Sequence, residues 1–353
     1  MARVLVVNAG SSSLKLTLLS DGDEALAARL LGGLDGVREA LAEGLADDAD
    51  LVAHRIVHGG ARFREAVHID SEVAAELRAL SELAPLHQPK SLAALDAVTG
   101  ALPALPAIAC FDTAFHATLP PAAYTYALPA ALRERWGVRR FGFHGLSHAW
   151  IARRVPSLVG GVGARLRIVS CHLGAGASLC AIAGGRSVDT TMGFTPLEGL
   201  VMATRSGSVD PGLLLWLLER EAMTESELAQ ALEYESGLLG LAGSADMREL
   251  LARSDESAHT AIEVYLHRLR AEIGAMATAL GGIDVLAFTG GVGEHSPEVR
   301  ARAVSGLEFL GLTVDRVSNE AGDGDRVIGE RVVVIEARED LEMARQARAV
   351  LTV

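Results

Sequence analysis

Three stretches of this chain carry the residue types that handle anions. His54-Arg55-Ile56-Val57-His58-Gly59-Gly60 sets an arginine among histidines before two glycines. On a strand, Arg55 and Val57 share one face while His54, Ile56 and His58 share the other. Phe111-Asp112-Thr113-Ala114-Phe115-His116 closes an apolar run with an acid, and Phe141-Gly142-Phe143-His144-Gly145-Leu146-Ser147-His148 packs two histidines among glycines and aromatics. A further arginine, Arg205, lies in the turn-rich loop Ala203–Pro211. In a chain of net charge −13, local clusters of this kind are what a phosphate-handling site requires.

Three small-residue turns point the same way. Asn8-Ala9-Gly10-Ser11-Ser12-Ser13, His172-Leu173-Gly174-Ala175-Gly176-Ala177-Ser178 and Gly290-Gly291-Val292-Gly293-Glu294 each follow a short apolar run. Backbone N–H groups in such turns surround an anion, and small side chains let phosphate approach. None has the order of a Walker P-loop, and Gly291-Val292-Gly293 lacks the third glycine of a dinucleotide fingerprint. No Gly-x-Ser-x-Gly elbow supports a serine triad. Cys171 and His172 are adjacent on a strand, so they point to opposite faces and do not form a nucleophile pair. No helical His-x-x-x-His pair with a third ligand suggests a histidine metal site. For His54, His58, His116 and His148 the ordinary reading is a hydrogen-bonded core or turn residue.

The elements that must hold these residues alternate. Val4–Val7 and Leu14–Leu19 read as strands flanking the first turn, and Arg167–Cys171 and Leu179–Ala183 repeat that unit about half a chain later. The repetition predicts a duplicated fold with one copy per domain. Val285–Thr289 and Val332–Ile335 read as further strands. Helical spacing covers Ser71–Leu83, with Ser71 as N-cap, then Thr224–Leu232 with a capping box to Glu227, Ser257–Leu280, and Asp340–Val350. Strands alternating with helices define an α/β chain. At 353 residues two domains are expected, 1–118 with 340–353 returning to it, and 119–339, with the linker inside Pro120–Arg140.

Composition bounds the function classes. Acidic excess argues against a nucleic-acid binder that grips phosphates. Three cysteines without a Cys-x-x-Cys pair fit a reducing compartment rather than a disulfide framework. The N-terminus lacks the pattern of a signal peptide, and no apolar run reaches the ~18 residues of a membrane helix. A cytoplasmic protein without membrane partners is expected. Lys15 and Lys90 are the two lysines against thirty arginines, so a lysine here stands out as a compact point charge.

Taken in order, Asn8–Lys15, His54–Gly60, Leu83–Pro89, Phe111–His116, Tyr124–Pro129, Gly137–His148, Cys171–Gly176, Met192–Arg205 and Gly207–Pro211 resemble the acetate and propionate kinase family. Phe-Asp-Thr-Ala-Phe-His and Met-Gly-Phe-Thr-Pro-Leu-Glu-Gly are the most specific strings. The resemblance implies two duplicated ribonuclease-H-like domains around a central cleft, the actin-like ATPase fold. It implies a homodimer that moves the γ-phosphoryl group of ATP reversibly to acetate, giving acetyl phosphate and ADP, with Mg²⁺ or Mn²⁺. On the matching positions it implies Asp112, His144 and Arg205 as catalytic residues, and Arg55 and His87 on the acetate side. Lys15, Ser11, Ser13, the turn His172-Leu173-Gly174-Ala175-Gly176, Asp246-Met247-Arg248 and Gly291-Val292-Gly293-Glu294-His295 would contact ATP. Asn8 and Glu339 would serve the metal.

The chain departs from that pattern in several places. It is shorter between Lys15 and Arg55, and Ala175, His295 and Arg338 each stand where the family has asparagine. Two alternatives therefore stand beside acetate phosphorylation. One is a kinase for another short carboxylate such as propionate. The other is a nucleotide-binding relative with weak catalysis.

Overall fold

The computed structural model describes residues 2–10, 14–82, 88–160, 166–220 and 223–352. The chain divides into two compact units, one of residues 1–117, 143–150 and 338–353, the other of 118–142 and 151–337. The first unit holds β1 (Val4–Ala9), β2 (Leu14–Leu19), β3 (Ala25–Leu31), β4 (Leu51–Ile56), β5 (Val67–His68) and β6 (Ala107–Phe111). The second holds β7 (Arg167–Leu173), β8 (Ala177–Ala183), β9 (Arg186–Thr190), β10 (Val285–Thr289), β11 (Arg326–Gly329) and β12 (Val332–Val334).

Each set forms one sheet, and the two sheets have the same topology. The first runs β3-β2-β1-β4-β6-β5 and the second, taken from β9, runs β9-β8-β7-β10-β12-β11. In both, the first three strands are antiparallel, the next two join in parallel, and the last edge strand is antiparallel. The duplication expected from the repeated strand–turn–strand unit is present.

The central strands are apolar at nearly every position because helices cover both faces. In the first unit Leu5, Val7, Leu16 and Val52 pack with Ala94 and Val98 of the helix Gln88–Ala101. Val4, Val6, Ala53, Ile108 and Cys110 pack on the other face with Met343, Ala344 and Ala347 of the helix Glu339–Leu351. In the second unit the helix Glu256–Ala279 lies on β7, β8 and β9, and buries Ile262, Leu266, Leu269, Ile273 and Met276 as their spacing predicts. Cys110, Cys171 and Cys180 are all buried thiols.

Three local expectations change. The helix expected from Ser71 is capped by Asp70, whose side chain accepts from the Val73 N–H, and its α-helical part ends at Ala79 before a 3₁₀ turn over Leu80–Glu82. The C-terminal helix starts at Glu339, one residue early. The segment after β10 is a short helix, Gly290–His295, rather than an open turn. Glu294 accepts the Gly290 N–H at 2.8 Å, and fully buried Arg300 donates to the carbonyls of Gly293 and Glu294, so side-chain bonds complete a helix that glycines alone would not form. The Thr224 capping box is present.

Candidate active site

Parallel strands deliver side chains to the ends of a sheet, and the first unit gathers four there. Asn8 stands near the end of β1, Arg55 near the end of β4, Asp112 just past β6, and Glu339 opens the C-terminal helix. Arg55 donates Nε to both carboxylate oxygens of Asp112 (3.1 and 3.2 Å) and Nη2 to Oδ2 at 2.8 Å. Its Nη1 donates to Asn8 Oδ1 at 3.1 Å and lies 3.5 Å from Glu339 Oε2. The Asn8 amide in turn donates to Glu339 Oε2 at 3.0 Å. One guanidinium thus faces two carboxylates. The Asp112 side chain is 2% exposed and those of Arg55 and Glu339 are 13% exposed, so the pairs are little screened.

Burial pushes the Asp112 carboxyl above its ordinary range and the nearby Glu339 adds to that, while Arg55 pulls it back. Burial also works against the Arg55 charge, but Asp112 and Glu339 outweigh it and hold the guanidinium protonated. Lys15 on β2 is the cross-strand partner of Asn8, and its side chain is exposed.

His144 is tied to the same cluster through the backbone. Its φ is +55°, uncommon for a residue with a side chain, and its carbonyl accepts from His148 N as the helix Gly145–Val159 begins. The Gly145 N–H donates to the Asp112 carbonyl at 2.8 Å. A Cβ at Gly145 would stand 2.1 Å from that carbonyl oxygen, so only glycine permits this approach. The preceding carbonyl, of Phe143, is 3.0 Å from His116 Nε2, and the His58 ring meets the Phe143 ring edge-on. His54, His58, His116 and His148 are all buried, as their types and settings suggest. Burial lowers the His54 pKa to about 3 and that of His58 to about 4.

In the second unit the turn Gly174–Gly176 joins β7 to β8, with His172 opposite Ser178 and Leu173 buried. The amide side chain that the family places at 175 is absent, yet the main chain is held: Ala175 O accepts from Ala203 N at 3.1 Å. That bond links the turn to the loop of Arg205. Arg205 donates Nη1 to the Pro196 carbonyl at 3.3 Å, and its Nε lies 3.1 Å from Glu233 Oε2. Asp246 caps the helix Met247–Ala252 and pairs with Arg248, which holds its carboxyl low, at about 2; Met247 is buried. Gly291, Val292, Gly293, Glu294 and His295 lie in the short helix after β10, with His295 Nδ1 3.6 Å from Asp323. Ser11, Ser13 and His87 lie outside the described residues.

Several supporting residues carry no obvious sign in the sequence. Glu198 accepts from Tyr126 Oη at 2.5 Å and from Arg140 Nη2 at 2.6 Å. Arg140 also donates to the carbonyls of Thr191 and Met192, and Phe194 N donates to Tyr126 Oη, so this trio holds the loop that carries Pro196. Glu198 lies within the string Met-Gly-Phe-Thr-Pro-Leu-Glu-Gly, which was its one available signal. Glu233 had none, being 28 residues from its partner.

Two sheets of identical strand order, each with helices on its faces, define the two-domain α/β architecture of the actin-like ATPases. The chain belongs to the acetokinase family, whose family model matches residues 30–345. An acetate kinase of Rhodopseudomonas palustris is 45% identical over 359 residues, covering 91% of this chain and 90% of that protein. One of Leifsonia xyli is 44% identical over 390 residues, covering 98% of each. The crystal structure of Porphyromonas gingivalis acetate kinase matches with a TM-score of 0.90 at 35% identity, over 99% of this chain and 100% of that one. A propionate kinase from Francisella tularensis matches with a TM-score of 0.90 at 30% identity, over 98% and 99%.

Proposed function

We propose that this acetokinase-family chain transfers the γ-phosphoryl group of ATP to acetate, reversibly, giving acetyl phosphate and ADP. The observation that carries the reading is the buried Asn8–Arg55–Asp112–Glu339 cluster in a chain of this family.

An acetate oxygen forms a bond to the γ-phosphorus while the bond from that phosphorus to the bridging oxygen breaks, and ADP leaves with the electron pair. No proton has to move, because acetate is already ionised at neutral pH. The demand on the protein is to position two anions and to neutralise charge on the equatorial oxygens. Arg55 supplies positive charge to the acetate side and holds Asp112 in a fixed bidentate pose. Asp112 then works by orientation and electrostatics rather than as a strong base. His144 and Arg205 donate to the phosphoryl group in flight, and Lys15, the turn Gly174–Gly176 and the segments 246–248 and 291–295 contact the nucleotide.

The donor set fits Mg²⁺. The oxygens of Asn8, Asp112 and Glu339 are hard, and one arginine leaves the two carboxylates with a residual negative charge. Mg²⁺ typically takes one or two carboxylates and completes its shell with water and substrate phosphates. Among the described residues no group of three His, Cys, Asp or Glu forms an all-protein cage. Bound there, Mg²⁺ supplies charge neutralisation at the phosphates.

A homodimer is supported by the helix Pro211–Glu219, which exposes Leu213, Leu215 and Trp216. The buried thiols suit a cytoplasmic setting, and among the described residues no helix is long and apolar enough to cross a membrane.

Purified protein with Mg²⁺, ATP, acetate and hydroxylamine should yield acetyl hydroxamate and ADP. ATP binding by calorimetry without hydroxamate would instead mark a nucleotide-binding relative. The likeness to a propionate kinase makes propionate the comparison substrate. One methylene is worth only ~1–3 kcal/mol, so a modest preference is expected.

A further inference from the structure

Glu233 stands where a carboxylate costs most. It lies in the last turn of the helix Glu225–Tyr234, where the helix dipole disfavours negative charge, and it is 7% exposed. Its partner is Arg205, whose Nε lies 3.1 Å from Oε2. A buried pair of this kind contributes little net stability, because desolvation offsets the attraction. What it does supply is direction, since the planar guanidinium cannot swing without giving up a charged contact.

The loop around Arg205 does not depend on that carboxylate. Ser206 N donates to Leu232 O at 3.1 Å, Thr204 Oγ1 to the backbone carbonyl of Glu233 at 2.9 Å, Ser236 N to Thr204 O at 2.9 Å, and Leu238 N to Met202 O at 2.9 Å. Gly237, at φ +62°, allows a close approach in which a Cβ would stand 2.2 Å from Met202 O. Main-chain bonds therefore place the loop, while Glu233 on one side and the Pro196 carbonyl on the other aim the side chain.

We propose that Glu233 is a positioning residue for phosphoryl transfer, fixing the Arg205 guanidinium in the pose that meets the transferring group. This rests on the role given to Arg205 above. A misplaced donor costs up to ~10²-fold, which sets the expected size of the effect.

The test is a double-mutant cycle on kcat in the hydroxamate assay, with Tm measured alongside. Arg205→Ala should lower kcat by at least ~10². Glu233→Ala should lower it by about 10- to 100-fold, with KM for ATP changing less than about threefold. Glu233→Gln, which keeps an accepting oxygen of the same shape, should fall between that variant and wild type. In the Arg205→Ala background, Glu233→Ala should cost less than about threefold more, because there is nothing left to aim. A near-wild-type Arg205→Ala would remove Arg205 from the mechanism, and the proposal with it. If Arg205→Ala is impaired but Glu233→Ala and Glu233→Gln turn over normally, or if Glu233→Ala loses the same factor in both backgrounds, the positioning role alone is overturned.

Discussion

Asp112 serves Arg55 and Gly145 with different parts of itself. Its carboxylate takes the Arg55 fork at 2.8–3.2 Å, and its backbone carbonyl takes the Gly145 N–H at 2.8 Å. The carboxylate held by Arg55 and the turn that carries His144 are thus fixed to one residue. Disturbing either side of Asp112 should reach the other.

Arg55→Lys tests the carboxylate side. A lysine keeps the charge but cannot span both oxygens, so Asp112 loses its bidentate hold. We expect kcat/KM for acetate to drop by about 10²-fold with the fold intact by circular dichroism. Unchanged kinetics would show that charge alone suffices.

Gly145→Ala tests the backbone side. The new Cβ must clear a carbonyl oxygen 2.1 Å away, which forces the Asp112 backbone or the helix start to move. Overpacking of this kind costs about 1–3 kcal/mol in denaturant unfolding, and kcat should fall with it. A variant as stable and active as wild type would refute the close approach.

Acid should loosen the first unit through His54. Its pKa falls from 6.5 to about 3 because burial penalises the charged ring. The unfolded chain therefore binds more protons between those values, so stability is full above pH 6.5 and declines as pH falls toward 3. At about pH 4.5 the loss is on the order of 2–3 kcal/mol from this residue. Tm of wild type and His54→Leu across roughly pH 4.5–7.5 checks the sign, the variant showing a shallower acid limb.

Glu339→Gln should raise the Mg²⁺ concentration for half-maximal rate by at least ~10-fold, since it removes one of two carboxylates from the donor set. A magnesium titration at saturating ATP and acetate reads this out. Saturation at the wild-type concentration would exclude Glu339 from the metal.

Trp216→Glu should shift sedimentation toward a slower species at micromolar protein, because it charges the exposed face of the helix Pro211–Glu219. Identical sedimentation of variant and wild type would place the contact elsewhere.

The central strands were legible because buried parallel strands read as short apolar runs leading into small-residue turns, as Val4–Val7 and Val285–Thr289 do. The edge strands β3, β5, β9 and β11 carried no such run and were not read. The duplication followed from the repeated strand–turn–strand unit, while the order of the six strands in each sheet did not. Residue-type rules misplaced what individual side-chain hydrogen bonds decide. Ser71 was expected as N-cap, yet the preceding Asp70 takes that place, and the glycines after β10 look like a turn until Arg300 and Glu294 close their hydrogen bonds. Sequence strings set Arg55, Asp112 and Arg205 apart, yet their partners stayed hidden. Asp112 meets Gly145, and Arg205 meets Glu233, only after folding brings distant segments together.

The cysteines turn this protein into its own stopwatch. Cys110 sits in one sheet and Cys171 and Cys180 in the other, all fully enclosed and with thiols that burial makes reluctant to ionise. An alkylating dye can reach them only when the surrounding sheet opens, so mass-resolved labelling would time the opening of each half separately, with no engineered probe.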